Sequence, residues 1–227
     1  FKTYSEKLWG ITCQQLDADF AAQRIKKLSL FEAVKNAFFA GKGTKHKTLV
    51  DQFAYPLEGT GMVYRRMADY VRDHGGQVFL NTPVQRVLAK DSRAYALEFP
   101  GGEVQAYDQV VSSMPISLLV TRLPDVPDAI RDAASSLKFR NTILVYLNVD
   151  AIDLFPDQWL YIHSDDLLTG RITNFRNWVP NLHGDAHTTI LVMEYWANDE
   201  DALWNESDEQ LIARGKDEIR RTGLIGE

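Results

Sequence analysis

Hydrophobic residues recur at two different spacings along the chain, and the spacing changes near residue 76. Before that point apolar residues repeat every three or four positions, over 17–28, over 29–38 and from Met62 up to Gly75. This spacing predicts three helices, the first capped by Asp17 and the last entered through a glycine turn at Gly59-Thr60-Gly61. The segment 41–47, rich in Gly, Lys and Thr, indicates a loop.

After residue 76 short β-prone runs alternate with turn signals. Pro100-Gly101-Gly102 separates two such runs and predicts a hairpin. Helices return at 127–137, after Pro127, and in the final segment, where Ser207 and Gln210 form a capping-box pattern. The strand predictions are 77–80, 84–89, 94–99, 103–107, 109–113, 142–149, 159–163, 170–175 and 188–196.

These elements predict an α+β fold without internal repeats. Residues 57–114 read as a compact unit in which one helix precedes several strands. An antiparallel or mixed sheet with helices is expected for the remainder of the chain.

Composition excludes several classes of protein. The 227 residues are 45% hydrophobic and 25% charged, as in ordinary globular domains, and the formal net charge of −6 argues against a broad grip on nucleic acid or anionic lipid. Cys13 is the only cysteine, which excludes an intramolecular disulfide framework and favours a cytoplasmic location. No apolar run is long enough for an integral membrane segment. Because the chain opens on Phe1 and stops just after the last predicted helix, we expect an excised piece of a longer protein.

Searches for catalytic motifs name no reaction. Gly59-x-Gly61 lacks the third glycine of a dinucleotide fingerprint, since position 64 is Tyr64. His183 and His187 are interrupted by glycine and aspartate, so a solvated loop is favoured over metal ligation, and no metal site is predicted. The catalytic residues are therefore unknown at this stage.

Polar and aromatic side chains are dense only in the segment 170–178, which reads GRITNFRNW. Guanidinium and amide groups at Arg171, Asn174 and Arg176, with aromatic rings between them, suit a pocket for a planar or anionic ligand. The alternative is an edge strand with solvated arginines. The five tryptophans could likewise line a cavity or lie in the core.

Several stretches in order resemble the flavin-dependent amine oxidase and protoporphyrinogen oxidase superfamily, including its members likened to UDP-galactopyranose mutase. No single stretch is specific, but the ordered set covers nearly the whole chain. The matching stretches are YSEKLWG at 4–10, AAQRIKKLS at 21–29, YP at 55–56 leading to GTGM at 59–62, the stretch from GG at 75–76 to NTPV at 81–84, VVSSMP at 110–115, and 170–178.

The resemblance implies the middle of an FAD-dependent enzyme, without the N-terminal dinucleotide motif and the C-terminal flavin segment. Residues 57–114 would belong to a partial FAD-binding domain, and 1–56 and 115–227 to a substrate domain. Val84 resembles the residue whose backbone pairs with the adenine of FAD. The remaining implied cofactor contacts are Ser112, Ser113, Met114 and Pro115 at a strand end, and Gly59 and Gly61 at a turn near the flavin ring, where Glu58 replaces the usual paired glycine.

Met62 resembles a substrate-cavity residue, and Arg171, Asn174 and Arg176 complete the expected substrate site. The function so implied is oxidation of a small organic substrate by hydride transfer to flavin. One alternative is a flavin-dependent isomerase of a nucleotide sugar, in which Arg171 and Arg176 grip a diphosphate. The other is a non-catalytic binding module whose tryptophans form a partner surface. The oligomeric state is not legible from the sequence.

Overall fold

The computed structural model describes residues 2–19 and 54–226. The chain divides into two compact units, Phe1–Tyr64 with Arg140–Glu227, and Arg65–Phe139. The helices predicted at 17–28 and 29–38 and the loop at 41–47 fall wholly or largely outside the described residues. Within those residues, no helix combines the length and the hydropathy needed to cross a membrane.

Two helices occur in the N-terminal part of the described chain. Helix α1 spans Lys2–Trp9, and helix α2 spans Gly61–Asp73. Helix α2 begins at the predicted glycine turn, and Gly75, with φ of +80°, follows its end. The boundary between the two units falls within α2.

The unit Arg65–Phe139 holds a three-stranded antiparallel sheet in the order β1-β2-β3, formed by Arg86–Lys90, Arg93–Glu98 and Val104–Ala106. The predicted hairpin is confirmed. Gly101 and Gly102 have φ of +87° and +82°, a region that glycine enters without steric cost. Helices α3 (Ile116–Arg122) and α4 (Asp128–Ser136) follow and pack against each other.

Two predicted strands do not form in this unit. Residues 77–80 and 109–113 are irregular, and Leu80 and Val111 are 74% and 95% exposed. Their apolar composition suits a strand, but no strand of the described chain pairs with them, and a strand is stable only with a partner. These two sequence predictions were therefore wrong for the structure of this chain.

The larger unit, Phe1–Tyr64 with Arg140–Glu227, holds a four-stranded antiparallel sheet in the order β4-β7-β6-β5. Strands β4 (Asn141–Val149) and β7 (Thr189–Ala197) pair along nine residues, while β5 (Trp159–Tyr161) and β6 (Arg171–Asn174) are short. Helix α5 (Asp208–Arg221) begins with the predicted capping box of Ser207. The expected α+β class with antiparallel sheets is confirmed.

The core of this larger unit lies between its four-stranded sheet and α5. Cross-strand neighbours Val145, Met193 and Ile172 are buried on the face that also carries Leu191, and Ile219 of α5 belongs to the same cluster. Gly215 lets α5 approach closely, because a Cβ there would lie 3.0 Å from Val145 Cγ1. The opposite face of the sheet, on which Val192, Glu194 and Trp196 of β7 are also buried, is called the second face below.

The loop between β5 and β6 is fastened from two sides. Lys7 Nζ of α1 donates to four backbone carbonyls between Ile162 and Thr169, at 2.8 to 3.2 Å. The buried carboxylate of Glu218 accepts the amides of Leu168 and Thr169 at 3.0 and 2.8 Å. Burial lowers the pKa of Lys7, and the Glu218 carboxylate acts against that shift. Both charged groups therefore replace lost hydration by protein hydrogen bonds.

Candidate functional site

Val84, the expected adenine contact, lies two residues before β1. Its carbonyl accepts a hydrogen bond of 2.8 Å from Arg122 Nε, while its amide donates to no atom of the described chain. The next residue is already tied into the sheet, since the Gln85 amide donates to the Glu98 carbonyl at 2.8 Å. Val84 thus presents an amide that no described residue accepts, beside a carbonyl that has one lone pair left. A donor and an acceptor side by side match the edge of an adenine ring.

The expected cofactor contacts at Ser112, Ser113, Met114 and Pro115 form the segment that leads into α3. Ser112 Oγ accepts the amide of Met114 at 3.3 Å, which makes a tight local turn. Both serines are exposed and Met114 is half-buried. Pro115 is the N-cap of α3, with φ of −50°. Small exposed residues here leave room for a ligand to approach the backbone.

Helix α3 connects these two segments. Pro115 lies at its first end, and Arg122, its last residue, holds the Val84 carbonyl. A seven-residue helix is about 10 Å long, at ~1.5 Å per residue. The structure therefore places Val84 and the segment 112–115 in one unit, at opposite ends of a single short helix, although they are far apart in sequence.

The turn with Gly59, Gly61 and Met62 belongs to the other unit. Gly59 has φ of +80°, which explains the glycine, and its carbonyl accepts the Met62 amide at 3.1 Å. Gly61 is the first residue of α2, and Met62 is half-buried. This turn thus serves as the start of a helix, with Met62 in its first turn.

Arg171 lies on the second face of the sheet, where it forms an ion pair with Glu194. Its Nε donates to Glu194 Oε2 at 2.6 Å, and Trp196 Nε1 donates to the other oxygen, Oε1, at 3.1 Å. The arginine side chain is 38% exposed, whereas that of Glu194 is 12% exposed. Because Tyr161, Arg171 and Glu194 are cross-strand neighbours, they form one row across the sheet. The row offers an ion pair flanked by an aromatic ring.

Asn174 and Arg176 have positions different from that of Arg171. Asn174 ends β6 and is 1% exposed. Its side-chain Nδ2 donates to the Phe155 carbonyl at 3.3 Å, and its side-chain Oδ1 accepts the backbone amide of Arg176 at 3.1 Å. Arg176 lies past the strand, in a short 3₁₀ turn, where its Nη1 donates to two backbone carbonyls at 2.8 and 3.0 Å. The structure therefore does not bring the three side chains to one face, and two of them fasten the loop that follows β6.

Aromatic side chains gather beside this loop. Trp159 stacks on Trp178 with ring centroids 5.5 Å apart, and Tyr55 contacts Trp178 at 4.8 Å. These rings are half-buried, whereas Trp196 is 8% exposed and packs over Gly170. Trp196 thus has a core role, whereas Trp159 and Trp178 form a half-buried aromatic cluster.

A cavity of about 600 Å³ lies elsewhere, between the end of β4 and α5. Leu147, Leu154 and Ile219 are among its lining residues, with Lys216 and Arg220 on α5. None of the residues expected to bind cofactor or substrate lines it. Across residues 2–19 and 54–226, the acidic, histidine and cysteine side chains form no cluster that could hold a metal ion.

Sequence reasoning missed Arg122 and Glu194, the partners of Val84 and Arg171. Arg122 ends a helix that was not predicted, and it is 38 residues from Val84. Glu194 lies inside the apolar strand β7. A single carboxylate in such a strand predicts a cationic or hydrogen-bonding partner nearby, because a buried charge requires one.

Comparison with known proteins identifies the family. Residues 13–224 match the family described as flavin containing amine oxidoreductase. The match covers most of the chain, which therefore belongs to this family. No curated protein sequence matches the chain.

Solved structures agree in fold. Reduced UDP-galactopyranose mutase superposes with a TM-score of 0.66 at 18% identity, over 86% of this chain and 43% of its own. A protein of Exiguobacterium sp. 255-15 assigned as a protoporphyrinogen oxidase gives 0.61 at 20% identity, over 92% and 42%. A putrescine oxidase variant gives 0.51 at 21% identity, over 68% and 33%. The chain spans less than half the length of each, and at these identities the likeness shows the fold alone.

Proposed function

We propose that this chain is the central part of an FAD-dependent oxidoreductase that oxidises a small organic substrate. The observation that carries the proposal is the match to the flavin-containing family over residues 13–224. The residues of the unit Arg65–Phe139 fit an FAD, since Val84 keeps a free amide beside its carbonyl. A cytoplasmic location and a small-molecule partner belong to the same proposal.

When bound, FAD supplies the hydride acceptor at its ring nitrogen, so the polypeptide needs little acid-base machinery of its own. The Val84 backbone would hold the adenine by hydrogen bonds, and Ser112 and Ser113 would allow the backbone to approach the cofactor closely. Gly59 and Gly61 shape the turn assigned to the flavin-ring end, with Met114 and Pro115 completing the cofactor contacts.

The substrate would meet Met62 and the second face of the sheet at Arg171, whose side chain is 38% exposed. The pair of Arg171 and Glu194 gives that face a dipolar group without net charge, and Tyr161 beside it gives an apolar surface. Asn174 and Arg176 would act on the substrate indirectly, by fixing the loop that bears the Trp178 ring. This arrangement favours a neutral or weakly polar substrate over a strongly anionic one.

The isomerase alternative rests on the fold shared with UDP-galactopyranose mutase. A diphosphate would need positive charge that is not already compensated, but the charge of Arg171 is compensated by Glu194, and Arg176 lies past the strand, where it donates to two carbonyls. The oxidoreductase is therefore placed first. The binding-module alternative would use the rings of Trp159 and Trp178 without a flavin.

The test uses the protein expressed from its complete reading frame. We expect a yellow protein whose absorption bands are those of a flavin, with FAD released on denaturation and taken up again by the apoprotein. Isothermal titration with UDP-galactopyranose should give no heat of binding to the reduced protein if the oxidoreductase proposal holds. A colourless protein that takes up no FAD would overturn the proposal and favour the binding module.

A further inference from the structure

The contact between Arg122 and Val84 has a feature that ordinary packing does not require. Arg122 is half-buried and is the last residue of α3, and its Nε reaches a backbone carbonyl 38 residues away at 2.8 Å. No carboxylate of the described chain pairs with it, and its Nη groups donate to no atom there. A half-buried guanidinium without an acidic partner is uncommon, because its charge loses hydration.

The geometry fixes the Val84 peptide in one orientation. Residues 81–84 belong to no strand, and Asn81 has a positive φ of 56°, so strand pairing does not hold the Val84 amide. The sheet pairing starts only at Gln85. The Val84 carbonyl shares a planar peptide with the Gln85 amide, so the hydrogen bond from Arg122 and the bond from Gln85 to Glu98 together set where this carbonyl points.

From this contact we infer that Arg122 is a positioning residue for the adenine of the cofactor, acting through the Val84 backbone. The inference rests on the proposed function, in which Val84 pairs with adenine. Because α3 starts at Pro115, the same helix sets the distance between the adenine contact and the segment 112–115.

The test measures dissociation constants of FAD, ADP and FMN for the apoprotein made from the complete reading frame. FAD and ADP contain adenine and FMN does not. In Arg122→Ala, FAD and ADP should bind about tenfold more weakly, the equivalent of one hydrogen bond, while FMN binding stays within twofold of wild type. Arg122→Lys, which keeps a donor without the planar fork, should fall between the two.

The matched control is Arg93→Ala. Arg93 belongs to the same unit and also donates to a backbone carbonyl, that of Asp108 at 3.0 Å. It lies in β2 and does not contact Val84, so its loss should leave all three constants unchanged. Should Arg122→Ala fail to fold by circular dichroism, the FAD-to-FMN ratio of Arg122→Lys decides the question.

Two outcomes would overturn the inference alone, given a wild-type protein that binds FAD. One is an unchanged FAD constant in both Arg122 variants, and the other is an equal loss for FAD and FMN, which would mean a merely structural role. A wild-type apoprotein that binds none of the three ligands would instead overturn the proposed function, and this inference with it.

Discussion

The two compact units differ in how much apolar surface they bury. In Arg65–Phe139, which the structure describes throughout, the buried residues are Val87, Ala96 and Ala134. The other unit buries a continuous cluster that includes Leu191, Met193 and Tyr195. Large apolar side chains in the smaller unit are instead exposed, among them Phe79, Leu80, Val111 and Ile116, at 64% to 95%.

The difference shows that the stability gained from a buried apolar core is concentrated in one of the two units. Burying one large apolar side chain contributes about 1.5–3 kcal/mol, so a unit with three small buried residues gains little from its own core. Apolar surface left open marks places where a ligand or another protein surface binds. The unit with the small core is also the one to which the proposal assigns the adenine contact. A bound cofactor would then supply stability that its core does not.

All five tryptophans lie outside Arg65–Phe139, so tryptophan fluorescence reports on the larger unit only. Amide hydrogen exchange reports on both units. The two measurements together allow the comparison to be tested unit by unit.

The largest effect is expected from Leu191→Ala. This side chain is fully buried, and its removal should lower the free energy of unfolding by about 2–5 kcal/mol. The matched change in the other unit, Leu80→Ala, removes a side chain that is 74% exposed and should cost at most about 0.5 kcal/mol. Urea unfolding followed by tryptophan fluorescence measures the first, and hydrogen exchange the second. A comparable loss in Leu80→Ala would contradict the comparison.

The next effect is expected from Gly170→Ala. The added Cβ would lie 1.8 Å from Trp196 Cζ3, so the indole must move, at a cost of about 1–3 kcal/mol. In Gly101→Ala the added Cβ would have no atom within 4 Å. Only the backbone φ of +87° is unfavourable for alanine, which should lower the free energy of unfolding by about 1–2 kcal/mol. Melting temperatures of the two variants test the order. Equal melting temperatures for Gly170→Ala and wild type would show that Trp196 is not closely packed there.

A smaller effect is expected from Lys7→Met. The change removes the ammonium group that donates to four carbonyls of the β5–β6 loop. The free energy of unfolding should fall by about 1–2 kcal/mol. The loss is smaller than for a fully buried charge because Lys7 is partly exposed. Lys90→Met, an exposed lysine at the end of β1, is the control, with an expected change within about 0.5 kcal/mol. Faster amide exchange at Leu168 and Thr169 in Lys7→Met should accompany the loss. Unchanged exchange at these amides would show that Glu218 alone fastens the loop.

The smallest effect appears only at alkaline pH. Burial raises the pKa of the fully buried Tyr195 above its usual value of 10.0, and the Glu218 carboxylate raises it further. Above about pH 10 the unfolded chain releases this proton while the native state keeps it, so the native state binds more protons and stability falls as pH rises. The slope attributable to one tyrosine is about 1.4 kcal/mol per pH unit.

The Tyr195→Phe variant should lose that part of the slope. The control variant Tyr146→Phe changes an exposed tyrosine on β4 and should keep that part of the slope, because Tyr195 is still present. Urea midpoints between pH 9 and 11 measure the slopes, in Tyr195→Phe and in its control. Parallel slopes in wild type and Tyr195→Phe would contradict the burial argument.

Local signals predicted the elements that depend on neighbours in sequence. The hairpin at Gly101-Gly102, the capping box of Ser207 and the helix after Pro127 all formed where expected. Each is decided by a turn geometry or a helix terminus within a few residues. The α+β class followed from these elements and from the change of hydrophobic period.

Contacts between distant parts of the chain were not predictable in the same way. Residues 77–80 have a strand composition, yet a strand needs a partner, which composition does not supply. The sequence grouped Arg171 with Asn174, but they lie on opposite faces of β6, and only the folded sheet pairs Arg171 with Glu194 and buries Asn174. The proposed roles of Gly59, Met62 and Val84 depend on the family, since turns and backbone groups carry little side-chain signal.

The sequence by itself determined the period of each element, the turns that end them, the balance of charge and, through its ordered motifs, the family. The tertiary structure alone decided that Arg122 holds Val84, that Lys7 fastens a loop more than 150 residues away, and which unit has a substantial core. The physical reason is that hydrogen-bond partners and burial are properties of positions in space, and chain order constrains those positions only over a few residues.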